Sequence, residues 1–172
     1  MEKVIVIQAP AAGHVSLAQL ERSDGEALRR FFFRLSPATL YWRFHSPIAR
    51  PDQARPERLL DIDHHDRAAV IAVVDGEIVG VARYARWPGT NRADLAVVVA
   101  DEWQRQGLAT WMLNGLADLA HSAGIDDFTA SVQGDNQPAL KLLRRFGPIE
   151  RQTFSQGLCE MALPVRRQDG SR

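Results

Sequence analysis

The stretch VVVADEWQRQGLATWML (residues 97–113) limits the fold more than any other. It continues an apolar, β-rich run that begins at Ala93, ADLAVVVA (93–100). A short polar turn with one glycine, Gly107, follows, and then a helix-periodic segment. Residues 105–123 carry Leu108, Trp111, Met112, Leu116, Leu119 and Ala120 on one side, with Gly124 as the stop. A second β-rich run, FTASV (128–132), comes next. A strand, a helix folded back on it and a second strand close compactly as a right-handed parallel crossover. That unit sets the core and puts the turn at the carboxyl end of its first strand.

The flanking segments read in the same way. Val15–Leu20 alternates and predicts a strand. SDGE (23–26) has capping-box spacing and predicts a helix with Ala27, Leu28, Phe31, Phe32 and Leu35 inward. Ser36 as N-cap and Pro37 at the first helical position start a second helix carrying Leu40, Tyr41 and Phe44. Residues 45–56 hold three prolines and read as a loop, with a helical turn near 57–61. AAVIAVV (68–74), the turn 75–77 and IVGVARYARW (78–87) form a hairpin signal, followed by a loop at 88–92. Residues 134–147 predict a helix with Ala139, Leu142, Leu143 and Phe146 at its spacing and Gly147 as a C′ stop. Two strands, near 149–154 and 157–163, finish a mixed α/β (α+β) chain.

Bulk properties exclude more than they assign. A chain of 172 residues is one domain in the ordinary size range. Formal net charge is zero, so no overall field favours nucleic acid or an anionic membrane. The arginine-rich segment 29–58 lacks an aromatic–basic module, and neither nucleic acid nor membrane is expected as a partner. The N-terminal apolar run is too short for a signal core or a span. The lone Cys159 rules out an internal disulfide and fits a cytoplasmic location; it reads as a small buried hydrophobe.

The turn itself lacks GxxxxGK[ST] and GxGxxG. What stands there is Gln104-Arg105-Gln106-Gly107-Leu108-Ala109. One reading is an anion site: free N–H groups and the positive end of the helix dipole, with small residues that admit a diphosphate. The other is an ordinary strand-to-helix turn with a packing glycine. His64-His65-Asp66 invites a metal reading, but adjacent side chains point apart and no further ligands stand at useful spacing, so a polar loop and no metal are expected.

Gln104-x-x-Gly107-x-Ala109, after an apolar strand and opening an apolar helix, resembles the acetyl-CoA motif of the GNAT superfamily of N-acetyltransferases. Asn136, Ala139 and LLRRFG (142–147) resemble that family's later motif, and the element order matches its fold. The first half, RRFFFRLSPATLYWRFHSP (29–47) and residues 61–86, is similar to bacterial Pat-type protein lysine acetyltransferase domains. The resemblance implies a central mixed sheet of about six to seven strands, about four helices and a splayed parallel strand pair. It implies a domain over 15–163, with an N-terminal extension (1–14) and a flexible tail (164–172).

It also implies a site. Backbone of Val97, Val98 and Val99 pairs with the pantetheine arm of acetyl-CoA, and an N–H near Val99 polarises the thioester carbonyl. The turn Gln104, Arg105, Gln106, Gly107, Leu108, Ala109 and Thr110 holds the diphosphate. Asn136 bonds the pantetheine or a bridging water, besides capping its helix. Asp94 stands where Pat-type enzymes carry a glutamate general base; the alternative is a strand-end residue paired with Arg92 or Arg83. Leu143 stands where many members carry a tyrosine acid. Tyr41, Trp42, Arg43 and Phe44 are candidates for the acceptor side, and His65 or Asp66 for its edge. The expected activity is acetyl transfer from acetyl-CoA to a primary amine, foremost a protein lysine, by a monomer or homodimer. The alternatives are a small-amine acetyltransferase and a non-catalytic acyl-CoA-binding module.

Overall fold

The computed structural model describes residues 15–45 and 55–166. The apolar runs become strands β1 (Ser16–Gln19), β2 (Arg67–Val74), β3 (Glu77–Arg86), β4 (Arg92–Val99), β5 (Asp127–Gln133), β6 (Arg151–Ser155) and β7 (Leu158–Pro164). The helices are α1 (Gly25–Arg34), α2 (Pro37–Phe44), α3 (Leu108–Ser122) and α4 (Gln137–Phe146). Short 3₁₀ turns lie at Arg22–Asp24, Pro56–Leu60 and Asp101–Trp103.

One seven-stranded sheet forms in the order β1-β2-β3-β4-β5-β7-β6. Every neighbouring pair is antiparallel except β4–β5, which is the expected parallel crossover. Strand alternation gives the sheet two apolar faces. One packs under α3 and α4, with Val70, Tyr84, Phe128, Met112, Leu116 and Leu143 in its core. The other packs under α1 and α2, around Leu28, Phe31, Phe32, Leu40, Val81 and Val98. Phe31 and Phe32 are fully buried and meet edge-on, with centroids 5.3 Å apart. Each contributes about 2 kcal/mol of burial. Helix α3 lies so close to β3 that a Cβ on Gly80 would sit 2.7 Å from Met112 Cε, so that position takes only glycine without a shift.

Three local expectations need correction. Helix α3 starts at Leu108, three residues later than its apolar period suggests, because Arg105 and Gly107 adopt left-handed backbone (φ 63° and 80°) that a helix excludes. The capping box lies two residues earlier than Ser23/Glu26: Glu21 N–H donates to Asp24 Oδ2 at 2.8 Å. Gly147 ends α4 in extended backbone (φ −170°), not as a left-handed stop, so its glycine character is not what ends the helix. Residues 46–54 of the proline-rich loop lie outside the described residues.

Candidate active site

Strands β4 and β5 pair over only three residues, Arg92↔Asp127, Ala93↔Phe128 and Asp94↔Thr129. Beyond them each strand keeps its outer partner: β4 stays on β3 up to Val99, and β5 stays on β7 up to Gln133. The inner edges therefore part at Asp94 and leave backbone groups without a ladder partner. A cleft of about 790 Å³ opens there, lined by Asp94, Val97, Val98 and Val99 on one side and Ala130, Ser131 and Val132 on the other. Its far wall comes from α4, including Asn136, Lys141, Leu143 and Arg145, and its near wall from the C-terminal half of α2.

The turn that follows β4 closes one end. Gln104, Arg105, Gly107, Leu108, Ala109 and Thr110 all line the cleft. Among the described backbone hydrogen bonds, none is donated by residues 105–110; donation resumes with Trp111 to Gly107 O at 3.2 Å. Helix α3 has no side-chain cap. A Cβ on Gly107 would meet nothing within 4 Å, so open space lies above the turn. A run of bare N–H groups at a 15-residue helix start, beside Arg105, is what a diphosphate requires. Gln106 is the exception among the expected residues: its side chain turns away to donate to Glu102 O at 3.0 Å, and it does not line the cleft.

Gln104 works structurally. Its amide donates to Val99 O at 3.0 Å and to Thr39 Oγ1 at 3.2 Å. Thr39 Oγ1 in turn donates to Asp101 Oδ1 at 2.9 Å, and Asp101 also accepts from Ser36 Oγ (2.6 Å) and Ser36 N–H (3.0 Å). This chain ties the start of α2 to the turn. Burial pushes the Asp101 carboxyl up, but the bonds from Ser36 and Thr39 outweigh it, leaving the pKa below the ordinary 3.8. Asn136 caps α4, accepting from Ala139 N–H at 3.2 Å, and is itself buried.

Asp94 sits at the fork. Thr129 Oγ1 donates to its Oδ1 at 2.6 Å. Arg92 pairs with Asp127 at 3.6 Å instead, so the Arg92 alternative does not hold. Arg83, on the same sheet face by alternation, feels the Asp94 charge, but burial and Arg67 act on it more strongly, and its pKa is lowered. Leu143 is buried, so an aliphatic side chain fills that part of the α4 wall. Cys159 is buried in the core and burial pushes its thiol up, as its apolar setting suggests.

Other candidates are used elsewhere. Asp63 Oδ1 accepts from the N–H groups of His65, Asp66 and Arg67, and the bonds from Arg67 and His65 pull its pKa down to about 2. His64 meets Glu21 at 3.1 Å, and Asp66 binds Arg86 at 2.7 Å, so this segment is a tied-down loop. Neither His65 nor Asp66 lines the cleft. Among the described residues, no group of three or more His, Cys, Asp or Glu is arranged to hold a metal ion. None of their helices is long and apolar enough to cross a membrane. Tyr41 lies outside the cleft, whereas Trp42, Arg43 and Phe44 line it. Thr39 and His45, inside the segment 29–47, and Ser131 on β5 also line the cleft, and the sequence singled none of them out as a site residue.

The profile of the family described as "Acetyltransferase (GNAT) family" matches residues 34–147. Acetyltransferase PA5475 of Pseudomonas aeruginosa is 37% identical over 115 residues, 64% of this chain and 62% of its own length. Acetyltransferase Pat of Mycolicibacterium smegmatis is 30% identical over 118 residues, 66% of this chain and 35% of its own length. The chain thus spans less than two thirds of either curated relative. Among solved structures, the GNAT domain of S. lividans PAT superposes with a TM-score of 0.84 at 25% identity, covering 95% of this chain and 97% of that one.

Proposed function

Since the chain belongs to the GNAT family of acetyltransferases, we propose that it moves the acetyl group of acetyl-CoA onto a primary amine, most suitably a protein lysine. The observation that carries this is the pairing of a bare helix start at residues 105–110 with a strand fork at Asp94. The first suits the coenzyme diphosphate. The second suits a thioester laid along β4. The resemblance of residues 29–47 and 61–86 to Pat-type protein lysine acetyltransferases favours a lysine acceptor over a small amine, and a relative named Pat and a PAT domain are among the similar proteins.

The residues then take these roles. Backbone groups of Val97–Val99 receive the pantetheine arm, and an N–H near Val99 faces the thioester oxygen as negative charge develops there. The N–H groups of the turn, with Arg105, hold the diphosphate. Lys141 and Arg145 add positive charge along α4. Asn136 offers its amide to the pantetheine while keeping its cap. A lysine amine has a pKa of about 10.4 and arrives protonated. Asp94 draws it in and accepts its proton. Its carboxylate is a methylene shorter than a glutamate, and Thr129 occupies Oδ1. Oδ2 therefore works through a water. Leu143 gives the departing thiolate no proton, so that proton comes from the amine or from solvent.

The test is thiol release from acetyl-CoA with a panel of protein lysines and small amines. Turnover with lysine peptides, reduced about 10²–10⁴-fold in Asp94→Asn, is expected. Unchanged turnover in that variant would remove Asp94 as base. Tight acetyl-CoA binding with no release from any amine would leave an acyl-CoA-binding module.

A further inference from the structure

We infer that two hydroxyls of β5 are positioning residues for the proton transfer: Thr129 fixes the Asp94 carboxylate, and Ser131 holds the water through which it acts. This rests on the acetyl-transfer reading above and deepens its base step.

The placement follows from strand register. Asp94 and Thr129 are the last partners of the parallel pair, and Thr129 Oγ1 donates to Asp94 Oδ1 at 2.6 Å. Side chains two residues apart on a strand share a sheet face. On β4 this groups Asp94 with Ala96 and Val98, and Val98 packs in the core under α1 and α2. On β5 it groups Thr129 with Ser131, whereas Phe128, Ala130 and Val132 are buried on the face of α3 and α4. The carboxylate and both hydroxyls thus stand on the face from which α2 brings Trp42, Arg43 and Phe44 to the cleft. The turn that suits the diphosphate opens α3, on the other face. The acceptor amine therefore meets Asp94 from the α2 side.

One step past the fork, that face offers Ala96 on β4 and Ser131 on β5, and both line the cleft. Ala96 has no polar side-chain atom, so Ser131 is the hydrogen-bonding side chain of the two strands at that level. Its side chain is exposed, and so is that of Asp94. Among the described side-chain hydrogen bonds, none joins Ser131 to Asp94; Thr129 holds that carboxylate. Two residues of strand rise set Ser131 about 6.6 Å beyond Thr129. A single water spans about 5.5 Å between two polar atoms, enough to bridge Ser131 Oγ and the carboxylate.

The donors and acceptors match. With Oδ1 taken by Thr129, Oδ2 is left to accept. A well-held water has about two to four polar partners. Here it donates to Oδ2 and accepts from Ser131 Oγ and from the ammonium. The third contact keeps it on the line between amine and base. A glutamate at position 94 would reach further by one methylene and need no such water.

The step balances. The ammonium gives one proton to the water, which passes one to Asp94 Oδ2. The neutral amine attacks the thioester carbonyl carbon, forming the C–N bond. The C–S bond breaks with its electron pair on sulfur. The second amine proton goes to the thiolate, and Asp94 releases its proton to solvent.

Ser131→Ala should lower kcat about tenfold, with KM for acetyl-CoA and for a lysine peptide within about twofold. Ser131→Thr should restore most of the rate, and the denaturant midpoint should stay put, since Ser131 is exposed. Thr129→Val should slow turnover by a similar factor and Thr129→Ser should preserve it. The decisive arm is the Asp94→Glu background, where Ser131→Ala should cost less than about twofold. Wild-type kcat in Ser131→Ala would overturn the proposal. So would a loss confined to KM, a loss that Ser131→Thr does not restore, or an equal loss in the Asp94→Glu background. Slow Asp94→Asn beside unaffected Ser131→Ala removes Ser131 alone. Unaffected Asp94→Asn removes the base, and the relay with it. If the wild type releases no thiol with any amine, the acetyl-transfer reading fails and takes this inference with it.

Discussion

Of the three helices that begin beside the cleft, two begin in opposite ways. Helix α2 starts capped: Ser36 accepts from Thr39 N–H at 3.2 Å, and Asp101 takes Ser36 N–H, Ser36 Oγ and Thr39 Oγ1. Helix α3 starts bare, with a left-handed glycine as its N-cap and no side chain on its first N–H groups. Exposed donors of this kind are met by water, so a bare start beside a cleft is open to an anionic ligand. The filled start is a clamp. It holds α2, and with it the His45 end, against the turn.

The sharpest break of this comparison is Gly107→Arg. A long side chain would enter the open space above the turn, and acetyl-CoA affinity should fall about a hundredfold or more, roughly 2.7 kcal/mol by calorimetry. Its left-handed backbone would add about 1–2 kcal/mol of strain. Unaltered affinity would mean that the bare start holds no diphosphate.

Asp101→Ala should do the reverse. It strips the clamp of three hydrogen bonds. The expected loss is about 1–3 kcal/mol in denaturant unfolding, with coenzyme affinity changed less than in Gly107→Arg. If affinity fell as far, the two starts would be one functional unit.

Asn136 tests a third helix start that combines both roles. Asn136→Ala should cost about 1 kcal/mol of stability through the lost cap, and Asn136→Asp should recover most of it. If coenzyme affinity falls equally in both, the amide also meets the ligand. If only stability moves, it is a cap alone.

The smallest effect is pH dependence. The Asp101 carboxyl has a folded pKa below 3.8. Its contribution is therefore complete above the unfolded value and disappears as pH falls through the lowered folded one. Asp101→Asn should remove that part of the acid-side decline; an identical decline in wild type and variant would place the titration elsewhere.

Much of this could be read locally. The alternating and wholly apolar runs set seven strands, and the spacing from Leu108 to Ala120 set the buried side of α3. The late start of α3 came from Arg105 and Gly107, whose backbone angles belong to the turn rather than to the apolar period. The family resemblance pointed to Gln104, and the fold then gave its side chain a structural task, tying Val99 to Thr39. Gln106 turned away because Glu102 O lay within reach.

The sequence by itself determined the parallel crossover, the glycine turn after its first strand and the caps at Ser36 and Asn136. These depend on periodicity and on contacts three or four residues apart. Only the tertiary structure decided that β4 and β5 part at Asp94 and that Asp101 clamps Ser36 from 65 residues away. A hydrogen bond acts over about 3 Å. Which distant groups come that close depends on how the sheet and helices pack, and no local pattern records it.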